Sequence, residues 1–126
     1  MKVSDINGAL NNIAEYIHQE SEAHGFDGKQ LQFGTHLMRV VSELGEALEA
    51  DRLNDHADFE LFNEKIGEGW TQAFEEAIKD TIEDELTDAL IMLLYLCKEI
   101  GMDIDKHLRH KMIYNSMREP KNGKRY

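Results

Sequence analysis

The chain of 126 residues has little cysteine and little proline, and each scarcity excludes a class of protein. Because Cys97 is the lone cysteine, no internal disulfide can form, and a single thiol is typical of a reducing compartment. One proline and nine scattered glycines leave few chain breaks, which favours helices over many short strands. The longest apolar run, residues 89–97, is too short to span a bilayer, and no signal peptide is visible at the N-terminus. We therefore expect a cytoplasmic protein with no membrane segment.

Charge is plentiful but unevenly distributed along the chain. The 25 acidic and 14 basic residues give a formal net charge of −11, which argues against nucleic acid or an anionic membrane as a partner. Residues 106–126 nevertheless carry seven basic residues against one acid, so residues 1–105 carry 24 acids against seven bases. Two interpretations stay open. The basic segment is either a solvated tail or folds back on an acidic centre that holds phosphates together with metal.

Apolar residues at helical spacing predict one all-α domain over residues 1–118, followed by a basic tail at 119–126. Ser4 or Asp5 is the expected N-cap of the first helix, and the last helix begins at Asp103 or Asp105. The predicted helices run over residues 5–24, 35–52, 71–100 and 103–118. Residues 53–70 are weakly patterned and are interpreted as an insertion with at most a short helix.

The helical signal over residues 71–100 is strong but too long for one compact helix. At 1.5 Å per residue it would measure ~45 Å, whereas a compact chain of this size has a radius of gyration of ~14 Å. The helix therefore either breaks at Thr81, with residues 81–84 (Thr81 to Asp84) as a capping-box-like start, or extends into a partner. Gly101 ends it in either case, with Met102 supplying the apolar contact that follows. Residues 89–97 are apolar on nearly every side, which favours a bundle of four to five helices completed by dimerisation.

Two pairs of acids with i,i+3 spacing lie on predicted helices, Glu43 with Glu46 and Glu85 with Asp88. At 100° per residue the members of each pair lie about 60° apart, beside an apolar stripe and with Cβ atoms about 5–6 Å apart. An acidic chain also forms single pairs of this kind by chance. If the two helices pack antiparallel, four carboxylates converge, and a hard divalent cation such as Mg²⁺ would relieve their repulsion.

Three segments together resemble the MazG-like all-α nucleoside triphosphate pyrophosphohydrolases. They are SELGEA at 42–47, ELTDALI at 85–91 and KMIYNSMR at 111–118, the last followed by the Gly-Lys-rich end GKRY at 123–126. The resemblance spans roughly residues 33–126. Its linker between the two acidic motifs is longer than such proteins usually carry, which leaves residues 53–70 as an added lid, an oligomer contact or a segment without a role.

The resemblance implies a function for each matched residue. Four acids would be Mg²⁺ ligands, with Mn²⁺ as a substitute: Glu43, Glu46, Glu85 and Asp88. Three residues near the C-terminus would bind substrate phosphates or sugar, namely Lys111, Asn115 and Arg118, and either Phe26 or Phe33 would face the base. The implied reaction is hydrolysis of the α–β anhydride of a nucleoside triphosphate, with Glu46 or Glu43 as general base, in a homodimer or homotetramer.

Several interpretations of these residues stay open. Phe26 and Phe33 are more simply interpreted as core residues. His36 and Arg39 share the acidic flank of the second helix and have either a surface role or an approach to the site. At the level of the whole chain, the alternatives are a non-enzymatic all-α interaction module and the same scaffold acting on a phosphoribosyl-nucleotide.

Overall fold

In a computed structural model, which describes residues 1–30 and 32–118, every regular element is helical. The six α-helices are α1 (Ala9–Ala23), α2 (Phe33–Arg52), α3 (Phe59–Lys65), α4 (Trp70–Ala77), α5 (Ile82–Glu99) and α6 (Ile104–Met117). Short 3₁₀ turns at Val3–Asp5, Gly28–Gln30 and Ile66–Glu68 complete the described elements. The all-α prediction is confirmed. The predicted tail at 119–126 lies outside the described residues, and none of the helices described is both long and apolar enough to cross a membrane.

The predicted start of the first helix is wrong, because Asp5 belongs to a separate turn. The Asp5 carboxylate accepts a hydrogen bond from the Lys2 N–H (2.6 Å), and α1 begins four residues later, at Ala9. Gly8 is the N-cap, with a φ of +108° that favours glycine and with no side chain to offer as a cap. The free N–H groups of α1 must therefore find an acceptor elsewhere in the fold.

That acceptor is Asp105, at the start of α6 and nearly 100 residues away. Its carboxylate, 1% exposed, accepts hydrogen bonds from the backbone N–H groups of Asn11 (2.8 Å) and Leu10 (3.4 Å). The Asn11 side chain returns the contact, accepting from the Ile104 N–H and donating to the Asp103 carboxylate, both at 2.8 Å. Each helix thus caps the other, which fixes α6 against the N-terminal end of α1.

One apolar core lies where α1, α5 and α6 meet. Ala14, Leu94 and Ile104 form its buried centre, with Cys97 and Met102 packed against it. The end of α5 follows the prediction: Gly101 has a φ of +73°, and the Met102 N–H donates to the Cys97 carbonyl (3.0 Å). This turn directs the chain from α5 back along α1.

The long helical segment breaks at Thr81, one of the two predicted alternatives. The Thr81 hydroxyl accepts from the Asp84 N–H (3.4 Å) and caps α5, while Asp80 takes a left-handed conformation (φ +64°) between α4 and α5. Including the helix of the insertion, the break produces six helices where four to five were predicted. The separation also lets α5 begin beside the end of α2, because the Ile82 N–H donates to the Asp55 carbonyl (3.0 Å).

The insertion predicted over residues 53–70 contains the short helix α3, which packs on α4. Phe62 and Ala73 lie at the centre of a small apolar core of their own. We refer to α3 and α4 together as the α3–α4 hairpin. The exposed Glu83 at the start of α5 anchors the segment that leads into it, because the Glu83 carboxylate accepts a hydrogen bond from the Ala57 N–H and contacts His56, both at 2.9 Å. The hairpin is therefore attached to the end of α5 that carries the acidic motif.

Candidate metal centre and adjoining cavity

The acidic motifs face each other because α2 and α5 pack antiparallel along most of their length. The direction follows from the contacts. The ring centroids of His36, near the start of α2, and Tyr95, near the end of α5, lie 6.0 Å apart. At the other end, the carbonyl of Asp55, just after α2, accepts a hydrogen bond from the N–H of Ile82, the first residue of α5. The middle of α2, with Glu43 and Glu46, consequently meets the first turns of α5.

Four carboxylates from the two helices converge at this crossing. One oxygen each from Glu43, Glu85 and Asp88 lies within 4.8 Å of the others. Glu46 lies within hydrogen-bonding reach of both Glu43 and Glu85. The structure therefore brings together, within one chain, all four acids that the sequence predicts as metal ligands. We refer to Glu43, Glu46, Glu85 and Asp88 as the acidic centre.

No lysine or arginine within residues 1–30 and 32–118 forms an ion pair with the acidic centre. Burial, followed by the nearby Glu46 and Glu43, raises the pKa of Glu85 to about 8. Burial also raises the pKa values of Glu43 and Asp88, with neighbouring acids adding to the effect in each case. The fold thus accumulates negative charge at this point without compensating it.

Glu85 carries the clearest sign that something is missing. It is 5% exposed, and its Oε2 atom is buried with no hydrogen-bond donor in the described part of the chain. An unsatisfied buried carboxylate oxygen costs at least about 1–3 kcal/mol, so native proteins rarely retain one without a role. A divalent cation with a preference for oxygen ligands would satisfy this atom and neutralise its neighbours, so the residues fit Mg²⁺ or Mn²⁺.

Further acids at the start of α5 extend the negative surface, and the sequence interpretation did not include them. Oxygens of Asp80 and Asp84 lie within 4.8 Å of each other and of Glu85. The Asp84 carboxylate also accepts from the Asp80 N–H (3.0 Å). The only signal in the sequence is that both acids closely precede Glu85, and Asp84 is interpreted there as part of a capping box. Its capping contact and its place beside the acidic centre are both observed.

A cavity of about 230 Å³ adjoins the acidic centre along the same α2–α5 seam. Its lining residues include Arg39, one helical turn before Glu43, and Met92, one turn after Asp88. Phe26, one of the two aromatic residues predicted to face a base, lines this cavity. The complete lining consists of eight residues: Ser21, His24, Phe26, His36, Arg39, Ile91, Met92 and Tyr95.

The inner wall of the cavity is fixed by aromatic contacts and by the Gly28 backbone. The Tyr95 hydroxyl accepts from the Gly28 N–H (3.0 Å), and His36 Nε2 contacts the Gly28 carbonyl (3.2 Å). A side chain at position 28 would collide with the Tyr95 ring, so the backbone approach requires glycine. Tyr95 is a site residue that the sequence interpretation missed, because it lies in an apolar run typical of core.

Other predicted substrate-binding residues lie elsewhere. Phe33 begins α2, is half exposed, and is not among the residues that line the cavity. Lys111 and Asn115 lie on the exposed C-terminal half of α6, and Arg118 directly follows it. The contacts of α6 as a whole are with α1 and with the turn at Val3–Asp5. The Lys111 ammonium (5.2 Å) and the Arg118 guanidinium (5.9 Å) both lie near the Tyr114 ring centroid. Among the described residues, the structure groups these cations with Tyr114 and not with the acidic centre.

Comparison with known proteins gives no match: no family model, no curated protein and no solved structure matches this chain.

Proposed function

We propose that this protein is a Mg²⁺-dependent nucleoside triphosphate pyrophosphohydrolase that converts a (d)NTP and water to a (d)NMP and pyrophosphate, clearing selected nucleotides from the pool. One observation carries the proposal: the buried, unsatisfied Glu85 oxygen lies at the meeting point of four carboxylates. A cavity of about 230 Å³ adjoins them, of a size suited to a nucleobase. The motif resemblance to MazG-like enzymes supports the same reaction.

In this proposal Glu43, Glu85 and Asp88 hold the cation, because their oxygens form the tightest group. Bound Mg²⁺ would supply charge neutralisation to the phosphates and acidify a coordinated water. Glu46 lies beside this group and is exposed, so it is the carboxylate left to accept the proton of the attacking water. Water adds across the α–β anhydride, one P–O bond forms as another breaks, and pyrophosphate leaves.

We propose a homodimer or homotetramer as the working form. The outward faces of α2 and α5 carry apolar side chains that a lone chain leaves 40–54% exposed: Leu37, Val41, Leu44, Leu48, Leu86, Leu90 and Leu93. A second copy is the partner proposed to cover them. Assembly would also give Lys111, Asn115 and Arg118 of one copy a route to the phosphates held by another.

The deciding experiment measures pyrophosphate release across a panel of nucleotides, with and without Mg²⁺. The panel includes ribo- and deoxyribonucleoside triphosphates and a phosphoribosyl-nucleotide, so that the substrate class is decided by the same assay. Glu43→Gln and Asp88→Asn should abolish release while helix content is unchanged. Glu75→Gln, at an exposed acid of α4, is the matched control and should retain full activity.

A binding measurement separates the enzyme from the non-enzymatic alternative. A ligand that binds only the folded state raises the thermal midpoint, so Mg²⁺ with a non-hydrolysable nucleotide should stabilise the wild type. It should not stabilise Glu43→Gln. Absence of any shift at millimolar ligand, together with absence of pyrophosphate release, would remove the proposal and favour an interaction module.

A further inference from the structure

We propose that the cavity beside the acidic centre selects a 6-oxopurine base, as in guanine nucleotides, and that Arg39 is the residue that determines this selection. The inference rests on the proposed function, because it assigns the base end of the same substrate. It goes further in naming the class of base and the residue that recognises it.

The direction of the substrate follows from the order of residues along the seam. Arg39 precedes Glu43 by one turn of α2, and Ile91 follows Asp88 by about one turn of α5. The cavity and the acidic centre are therefore adjacent on the same pair of helices. In this inference, a nucleotide whose phosphates lie at the acids places its base in the cavity lined by Arg39.

Arg39 is held toward the cavity by an aromatic ring. Its guanidinium lies 5.2 Å from the centroid of the Phe26 ring, and the Glu43 carboxylate one turn away forms no ion pair with it. Phe26 is itself fixed edge-on by Tyr95 (4.9 Å between centroids, 87° between planes). Cation–π contact of this kind orients the planar guanidinium while its N–H groups stay available.

The other residues that line the cavity strengthen the preference for guanine over adenine. No aspartate or glutamate in the described part of the chain lines the cavity, so the lining offers no carboxylate that would select the 6-amino group of adenine over the 6-oxo group of guanine. His36 and Tyr95 are engaged by the backbone of Gly28, and His24 Nδ1 contacts the Glu20 carbonyl (2.8 Å). Arg39 is thus the cationic residue of the lining and its strongest hydrogen-bond donor.

The two purines differ in the edge they present to such a donor. Guanine offers the adjacent acceptors O6 and N7, which match the guanidinium fork with two hydrogen bonds. Adenine replaces O6 with an amino group, so one N–H of the fork would face another donor. Discrimination through one bidentate contact of this kind is at least about fivefold.

The experiment compares matched guanine and adenine nucleotides, ribo with ribo and deoxy with deoxy, in Mg²⁺. Affinities for non-hydrolysable analogues and kcat/KM for pyrophosphate release are both measured. We expect wild type to favour guanine at least about fivefold and the ratio to fall to about one in Arg39→Ala. Arg39→Lys keeps the charge but loses the fork, so its ratio should fall equally. Arg52→Lys, at the other end of α2, is the control and should keep the wild-type ratio.

Each contrary result has its own meaning. A wild type that hydrolyses adenine nucleotides as well as or better than guanine nucleotides overturns this inference and leaves the proposed function intact. The inference is equally overturned if Arg39→Ala weakens both purines by the same factor, because Arg39 then contacts phosphate or sugar. Absence of metal-dependent binding and turnover with every nucleotide removes the proposed function itself. Arg39 is exposed, so these variants should fold, and their thermal midpoints in the absence of ligand check this.

Discussion

Asp105 and Glu85 are both buried carboxylates, at 1% and 5% exposure, and the fold provides for them in opposite ways. Backbone N–H groups of α1 surround Asp105. Burial raises its pKa, but hydrogen bonds from Asn11, Gly8 and Leu10 outweigh that effect and hold the pKa below its usual range. Carboxylates surround Glu85, and its pKa rises to about 8.

The contrast separates a structural acid from a functional one. The charge on Asp105 is fully used inside the chain, where it caps α1 and fixes α6. Negative charge on Glu85 is opposed by burial and by its neighbours Glu46 and Glu43, and its Oε2 atom has no hydrogen-bond donor inside the described chain. A stabilising role therefore explains the first acid and fails to explain the second, for which we propose a divalent cation as the partner.

The largest effect expected from this comparison is on catalysis. Glu85→Gln should reduce Mg²⁺-dependent pyrophosphate release at least about 100-fold, because a lost ligand removes several kcal/mol of transition-state stabilisation. Asp105→Asn should retain most of its activity at temperatures where it is folded. Steady-state rates for the two variants test the assignment, and equal losses in both would remove the distinction between the acids.

The second effect concerns stability, and here Asp105→Asn should be the more damaging of the two substitutions. Asp105→Asn should lower the free energy of unfolding by about 2–3 kcal/mol, since charge-assisted hydrogen bonds to the start of α1 are lost. Glu85→Gln in metal-free protein should cost nothing or stabilise the fold, because it relieves repulsion within the acidic centre. Urea denaturation in the presence of EDTA measures both. Strong destabilisation by Glu85→Gln would mean that Glu85 is structural.

A third effect lies in the pH dependence of metal-free stability. Because the pKa of Glu85 is about 8 when folded and 4.5 ordinarily, the folded protein retains a proton that the unfolded chain releases between these values. Stability from this group therefore falls as pH rises from about 5 to 8. Asp105, with a lowered pKa, contributes stability above its ordinary 3.8 that is lost as pH falls through the lowered value.

Thermal melts in EDTA between pH 5 and 8.5 test this expectation by difference. The wild type should lose stability relative to Glu85→Gln as pH rises, and saturating Mg²⁺ should abolish that relative loss. Parallel melting curves for the two proteins across the whole range would contradict the raised pKa of Glu85.

The smallest effect is expected at Glu83, an exposed acid whose carboxylate, like that of Asp105, accepts hydrogen bonds from within the chain. Hydrogen bonds from the Ala57 N–H and from His56 lower its pKa to about 2. Glu83→Gln should loosen the attachment of the α3–α4 hairpin and lower the thermal midpoint slightly at neutral pH. The difference from wild type should disappear as pH falls from 4.5 toward 2. Hydrogen exchange in α3 provides the local readout, and unchanged protection there would exclude the anchoring role.

The acidic centre could be predicted from sequence because helical periodicity alone determines most of it. Glu43 and Glu46 share a flank by spacing, and apolar positions beside them fix which flank meets α5. The predicted convergence of the four acids is observed in one chain. The same reasoning also identified Thr81 as a break point, since its pattern of Thr and Asp three residues apart is a local capping signal.

The features that could not be predicted from the sequence depend on contacts between residues that are far apart along the chain. Asp105 has the pattern of an ordinary acid in the first turn of a helix, yet its partners lie 94 and 95 residues earlier. The sequence gives no reason to choose between Phe26 and Phe33, because both are phenylalanines close to the start of α2. The path of the chain after α1 places Phe26, and not Phe33, in the lining of the cavity. Lys111 and Arg118, predicted to bind substrate phosphates, lie near Tyr114 and not beside the acids in the described part of the chain.

The most direct test of a cation site built around Glu85 is calorimetric titration of the metal-free protein with Mg²⁺ at pH 7 in two buffers of different ionisation enthalpy. Because Glu85 with a pKa of about 8 is largely protonated at this pH, the wild type should bind Mg²⁺ and release a proton to the buffer. Glu85→Gln should show neither binding nor release. Mg²⁺ binding of equal strength in both proteins, or none in either at millimolar concentration, would contradict the account.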